Sequence, residues 1–182
     1  MTVVGNPKPA SRTANAAACV AELLASELGA PFKIDQLVDL ATFAPALFQQ
    51  AGESDEQIAL ADAIDLTTSA SVLVLATPVY RGSYTGLLKS FLDVLAPGAL
   101  AGSVVVPVTI SASPAHRLLA DLQLRPVLAE LGASVPTPPV ALDERDLEDL
   151  QLAVSGWVRR NAGLVRAATN ALQPVAEPTP AR

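Results

Sequence analysis

The residues best equipped for chemistry fall in three short stretches. Ser11, Arg12 and Thr13 bring two hydroxyls and a guanidinium to the point where an Ala-rich helical pattern begins. The first turn of a helix carries unpaired amides and the positive end of the helix dipole, so this cluster suits a phosphate. A helix cap by Ser11 or Thr13, with Arg12 a solvated charge, accounts for the same residues without a ligand. Pro78-Val79-Tyr80-Arg81-Gly82 follows one aliphatic run, and Ser111-Ala112-Ser113 follows another. Pro78 and Gly82 have a turn-forming account beside a binding one. Tyr80 has one as a core aromatic with a wet hydroxyl.

Other chemistry finds little material. The first loop, Gly5 to Thr13, matches neither the Walker pattern nor the Gly-x-Gly-x-x-Gly fingerprint, which disfavours nucleoside triphosphate hydrolysis. There is no Gly-x-Ser-x-Gly elbow, and one histidine with one cysteine leaves few means of building a hydrolase or a zinc site. His116 opens a helical stretch, where a cap or surface contact outweighs catalysis. No metal is expected.

Charge and composition narrow the partners. A net charge of −6 argues against a phosphate-backbone footprint, so no nucleic-acid partner is expected. Val94 to His116 lacks Asp, Glu, Lys and Arg, yet Pro97, Gly98, Gly102, Pro107 and Pro114 break it up, which favours a buried strand between two loops over a membrane span. Cys19 reads as a packed thiol that requires no oxidising compartment, and without a secretory signal pattern the cytoplasm is the expected location. With 51% hydrophobic and only 4% aromatic residues, the chain has an aliphatic surplus that points to a subunit interface.

Short aliphatic runs alternate with longer helical patterns, the signature of a parallel sheet covered on both faces. Strands are expected at Thr2 to Val4, within Phe32 to Leu37, at Ser71 to Ala76, at Ser103 to Ile110 and within Ser134 to Val140. Pro107 predicts a bulge in the fourth. Helices are expected from the first loop to Gly29, from the capping box at Ser54 to about Ser69, from Leu87 to Leu95, from Ala115 to about Leu131, and from Asp143 to Leu172, with Trp157 anchoring the last. Glu144 to Asp149 reads as its charged, solvated start. Residues 1–172 form one domain, and the Pro-containing tail 173–182 reads as disordered. The first strand starts one residue after Met1, short for a central strand, which is compatible with an amino terminus further upstream. In a doubly wound sheet ligands bind beyond the carboxyl ends of the strands, where the loops after the first, third and fourth strands meet.

Gly5-Asn6-Pro7 through Ser11-Arg12-Thr13, followed by Thr77 to Lys89, Leu92-Asp93-Val94-Leu95-Ala96-Pro97, Ala115-His116 and Arg125-Pro126-Val127-Leu128, resembles the NADPH-dependent FMN reductase family. The sulfonate-utilisation branch is the nearest in pattern. The resemblance spans most of residues 3–142 and implies a flavodoxin-like doubly wound five-stranded parallel sheet with helices on both faces. It further implies a homodimer or homotetramer, with FMN across the three loops and NADPH or NADH stacking on its exposed face. On this reading Ser11, Arg12 and Thr13 hold the phosphate. Pro78, Val79, Tyr80, Arg81 and Gly82 form the second flavin loop, and Ser111, Ala112 and Ser113 the third.

The implied activity is hydride transfer from nicotinamide to FMN without a catalytic side chain, supplying a flavin-dependent monooxygenase. An FMN-bound quinone, azo or metal-oxyanion reductase is an alternative, as is an electron carrier without nicotinamide activity or a subunit that has lost flavin. Two departures stand out: the third loop lacks the family's usual glycines, and Leu122 replaces an aromatic.

Overall fold

Successive side chains along the central strands alternate between two buried clusters, so both faces of the sheet are covered. The computed structural model describes residues 1–34, 36–49 and 54–172. Five parallel strands, β1 (Thr2–Val4), β2 (Leu37–Asp39), β3 (Val72–Pro78), β4 (Val104–Ser111) and β5 (Val140–Asp143), lie in the order β2-β1-β3-β4-β5. This is the flavodoxin-like doubly wound order. Val4, Val74, Ala76, Val106 and Val108 pack on one face against α1 (Arg12–Leu28) and α5 (Leu150–Leu172). Val3, Leu73, Leu75 and Val105 face the other core, with α2 (Asp55–Thr68), α3 (Gly86–Asp93) and α4 (Arg125–Glu130). Every residue of β4 is buried, so a strand covered on both sides reads as an unbroken aliphatic run.

Local chemistry fixes several boundaries where the sequence places them. Gly29 ends α1 at φ 62°, its amide donating to the Ala25 carbonyl. Ser54 caps α2 by accepting from the Gln57 amide. Trp157 is buried and donates to the Pro138 carbonyl, which anchors α5 to the segment before β5.

Elsewhere competing interactions move the elements. Pro107 makes no bulge: it pairs one for one with Leu75. The Val104 amide points to β3 and that of Val105 to the β5 side, so alternation turns the Pro107 nitrogen to the β5 side. There the ladder is interrupted between Ser134 and Val140, and no donor is required. The interruption also moves the fifth strand from the expected Ser134 to Val140 stretch to Val140–Asp143. Pro136, Pro138 and Pro139 cannot donate, so Ser134 makes a lone bridge and regular pairing starts only at Val140. The second strand lies at Leu37–Asp39 because the Phe32 amide closes a turn onto the Gly29 carbonyl.

The closing helix begins at Leu150 because upstream carboxylates capture backbone amides. Asp143 accepts from Arg145, Asp146 accepts from Asp143, and Asp149 caps α5 by accepting from Leu152. Glu144 to Glu148 is therefore a turn preceding the helix. Ala115 to Leu131 is likewise no single helix. It divides into a 3-10 turn at Pro114–His116, a π turn at Ala120–Leu124 and α4. Pro126 has no amide for the Leu122 carbonyl, and the Arg125 amide reaches back five residues to Ala120. The tail 173–182 lies outside the described residues. Among the described residues, no helix is long and apolar enough to cross a membrane.

Buried hydroxyls tie the loops after β1 and β3 together. Thr85 caps α3 by accepting from the Leu88 amide at 3.1 Å, donates its hydroxyl to the Gly5 carbonyl, and passes its own amide to the Thr77 hydroxyl at 3.2 Å. Thr77 in turn donates to the Pro78 carbonyl. Gly5 is required by contact, since a β-carbon there would lie 2.6 Å from the Leu88 β-carbon.

Three variants test this joint. Thr85→Val should destabilise the fold by about 2–4 kcal/mol in urea denaturation, because a cap is lost and a buried carbonyl left unpaired. Gly5→Ala should cost about 1–3 kcal/mol through overpacking. Gly86→Ala, where a β-carbon meets open space, should stay within about 1 kcal/mol of the parent.

Candidate functional site

The first loop leaves β1 at Gly5 and is held from within. Asn6, buried, donates from Nδ2 to the Thr13 hydroxyl at 2.9 Å, while its Oδ1 accepts from the Lys8 amide. Ala10 adopts φ 49°, and its amide donates to Asp39 at the end of β2. Ser11 is the N-cap of α1, accepting from the Ala14 amide at 3.2 Å. The capping account of Ser11 is therefore observed, and Thr13 also serves the loop. Both hydroxyls are used as acceptors and keep their own O–H. Arg12 and Thr13, at the first two helical positions, have amides with no carbonyl behind them in the helix.

The second loop is a tight reversal. Tyr80 and Ser83 exchange backbone hydrogen bonds at 2.8 and 3.0 Å, and the two residues between them, Arg81 at φ 53° and Gly82 at φ 76°, both lie in the left-handed region. That pair is the mark of a type I′ turn, in which glycine is unstrained and arginine is not. Pro78 is the buried last residue of β3. The Val79 amide donates to the Ile110 carbonyl and that of Tyr80 to Ser83, so among residues 79–82 the open amides belong to Arg81 and Gly82. Tyr80 is 51% exposed, which excludes a core role for its ring.

The third loop turns tightly. Ser111, buried at the end of β4, donates to the Ser113 carbonyl, and Ser113 accepts from the Ala115 amide. Ala112 is exposed between them. It lines a cavity of about 720 Å³ together with Arg12, Asp143, Glu144, Arg145 and Glu148, which joins the first and third loops at the carboxyl edge of the sheet. A second cavity, about 680 Å³, lies at the opposite edge around Met1, Phe32 and Ser71 and holds none of the candidate residues.

All three stretches thus reach the carboxyl ends of β1, β3 and β4. Ala10 and Arg81, the positive-φ residues other than glycine among the described residues, lie in the first and second loops. Backbone strain of this kind concentrates where geometry serves a site.

Four shaping residues carry signals too weak or too distant to be read from the sequence. Asp39 has the pattern of a strand-end cap, Asn6 that of a loop former, whereas Gln123 donating to the Gly82 carbonyl at 3.0 Å and Glu144 accepting from Arg12 at 3.2 Å are long-range contacts. Burial pushes the Cys19 thiol up from its ordinary range, with Glu22 and Asp149 adding to the effect, so it is poorly suited to act as a nucleophile. Among the described residues, no group of three or more His, Cys, Asp and Glu side chains is placed to hold a metal.

Comparisons with known proteins bear on the family and the fold. An FMN reductase (NADPH) of Pseudomonas aeruginosa is 31% identical over 132 residues, covering 72% of this chain and 71% of that one. An FMN reductase (NADPH) of Escherichia coli K12 is 42% identical over 77 residues, a stretch that spans 42% of this chain and only 40% of the relative's length. The apo structure of an NADH:FMN oxidoreductase (EMOB) superposes with a TM-score of 0.66 at 32% identity, covering 94% of this chain and 86% of the other. The pattern of the NADPH-dependent FMN reductase family matches residues 1–146, and the chain belongs to that family.

Proposed function

We propose that this chain reduces FMN with NADPH or NADH, holding the flavin across the loops after β1, β3 and β4. The observation that carries the reading is the set of open backbone amides at Arg12 and Thr13, after β1, and at Arg81 and Gly82, after β3, the neighbouring strands at which the strand order switches. The first pair, with the hydroxyls of Ser11 and Thr13, fits a phosphate at the start of α1. The second pair fits the polar edge of a flat ring, which Tyr80 and Ala112 would flank. Bound FMN supplies the redox chemistry by accepting a hydride from the nicotinamide. The protein's part is to align the two rings and shield them, which needs neither a general acid nor a nucleophile.

Ala112 and Ser113 stand where close approach would favour glycine, so the ring site is narrow and FMN behaves as an exchangeable substrate. Such an enzyme delivers reduced flavin to a second protein, for which a flavin-dependent monooxygenase is our proposed partner. We place it in the cytoplasm, where its nicotinamide substrate is available. Leu118 and Leu122, 64% and 71% exposed, occupy successive turns beside Gln123, which reaches the Gly82 carbonyl. We assign this apolar strip to a homodimer or homotetramer interface adjoining the flavin loop.

Light scattering at micromolar concentration should give a dimer or tetramer, and Leu122→Glu should shift the population to smaller species. Arg12→Ala should weaken FMN binding about ten- to a hundredfold, since a hydrogen bond to a charged group contributes about 1.5–3 kcal/mol. Riboflavin, which lacks the phosphate, should be reduced almost as well by the variant as by the parent. Equal losses with both flavins would show damage to the loop in place of a lost phosphate contact.

A further inference from the structure

The Arg12 guanidinium is already engaged. Its Nη2 donates to Glu144 Oε1 at 3.2 Å, joining the start of α1 to the turn after β5, and the two side chains are 69% and 61% exposed. Both line the 720 Å³ cavity at the carboxyl edge, and Arg12 with its neighbour Thr13 carries the open amides of the helix start. Glu144 makes no other side-chain hydrogen bond or ion pair among the described residues, whereas its neighbours Asp143 and Asp146 cap backbone amides. The turn holds its shape without the Glu144 carboxylate. That carboxylate therefore serves no purpose visible in the fold except to sit on the guanidinium.

Resting on the placement of the flavin phosphate at Arg12 argued above, we propose that Glu144 competes with the phosphate for Arg12. It is an internal carboxylate that positions the guanidinium over the cavity and must release it when FMN binds. A carboxylate and a phosphate present the same kind of acceptor to a guanidinium, so the Nη2 edge that Glu144 holds is withheld from a phosphate, which would otherwise take the whole fork. A phosphate dianion entering beside Glu144 also meets a like charge unless the carboxylate swings away. The exchange is inexpensive in either direction, because an ion pair this exposed is weak. Glu144 thereby lowers affinity for phosphorylated flavin selectively and favours release of FMN over retention. It acts on binding through Arg12 and touches no reacting atom.

The test is FMN and riboflavin affinity by quenching of flavin fluorescence, for the parent, Glu144→Ala, Arg12→Ala and the double variant at low and high salt. Glu144→Ala should bind FMN about two- to fivefold more tightly at low salt, less so at high salt, with riboflavin unchanged. In the Arg12→Ala background the same substitution should have little effect. Unchanged FMN affinity in Glu144→Ala, with Arg12→Ala still weakened, would overturn the competition and leave the phosphate placement standing. Equal tightening with and without Arg12 would also overturn it, since Glu144 would then act on the phosphate by repulsion alone. If Arg12→Ala alone fails to weaken FMN, the phosphate placement falls and takes this proposal with it.

Discussion

Thr85 sits buried where the first two loops meet, and each of its polar groups is committed. Its hydroxyl donates to Gly5 and accepts from Leu88, and its amide rests on Thr77. A hydroxyl has one proton to give, so these partners leave it no freedom to rotate. The start of α3, the exit from β1 and the entry to the reversal at Tyr80 are therefore set together. With Gly5 pressed against Leu88, the loops above have little room to shift relative to one another. A site composed largely of backbone amides depends on such a joint, because amides can be aimed only by fixing the chain that carries them.

On the proposed function, this explains how a chain with so few reactive side chains could serve a demanding reaction. Its investment is in loop shape: left-handed Ala10 held by Asp39, left-handed Arg81 in a two-residue turn, Asn6 spanning to Thr13. Such strained positions need surrounding structure to enforce them. On that function the reacting groups would arrive with the cofactors.

Much of the fold is legible in the sequence because local signals agree with the tertiary outcome. The aliphatic runs of β1, β3 and β4, the Ser54 cap and Gly29 all report structure within a few residues. The misplaced boundaries share a cause of a different kind, competition for backbone hydrogen bonds. Three prolines delay β5, capping aspartates delay α5, and Pro126 opens a π turn before α4. At the site, the placement of the three loops follows from the strand pattern. What Arg12 and Gly82 touch does not, since Glu144 lies 132 residues from Arg12 and Gln123 lies 41 residues from Gly82. Contacts of that range are set by topology and packing and leave no local pattern.

The central claim is that these loops align a reduced nicotinamide with FMN so that hydride passes directly between them. Anaerobic stopped-flow mixing of the protein and FMN with NADPH, and separately with NADH, follows this through loss of the visible absorbance of oxidised flavin. The account predicts bleaching far faster than in the same mixture without protein, with a rate that saturates in nicotinamide concentration. A rate equal to that of the protein-free mixture with both nicotinamides would contradict it.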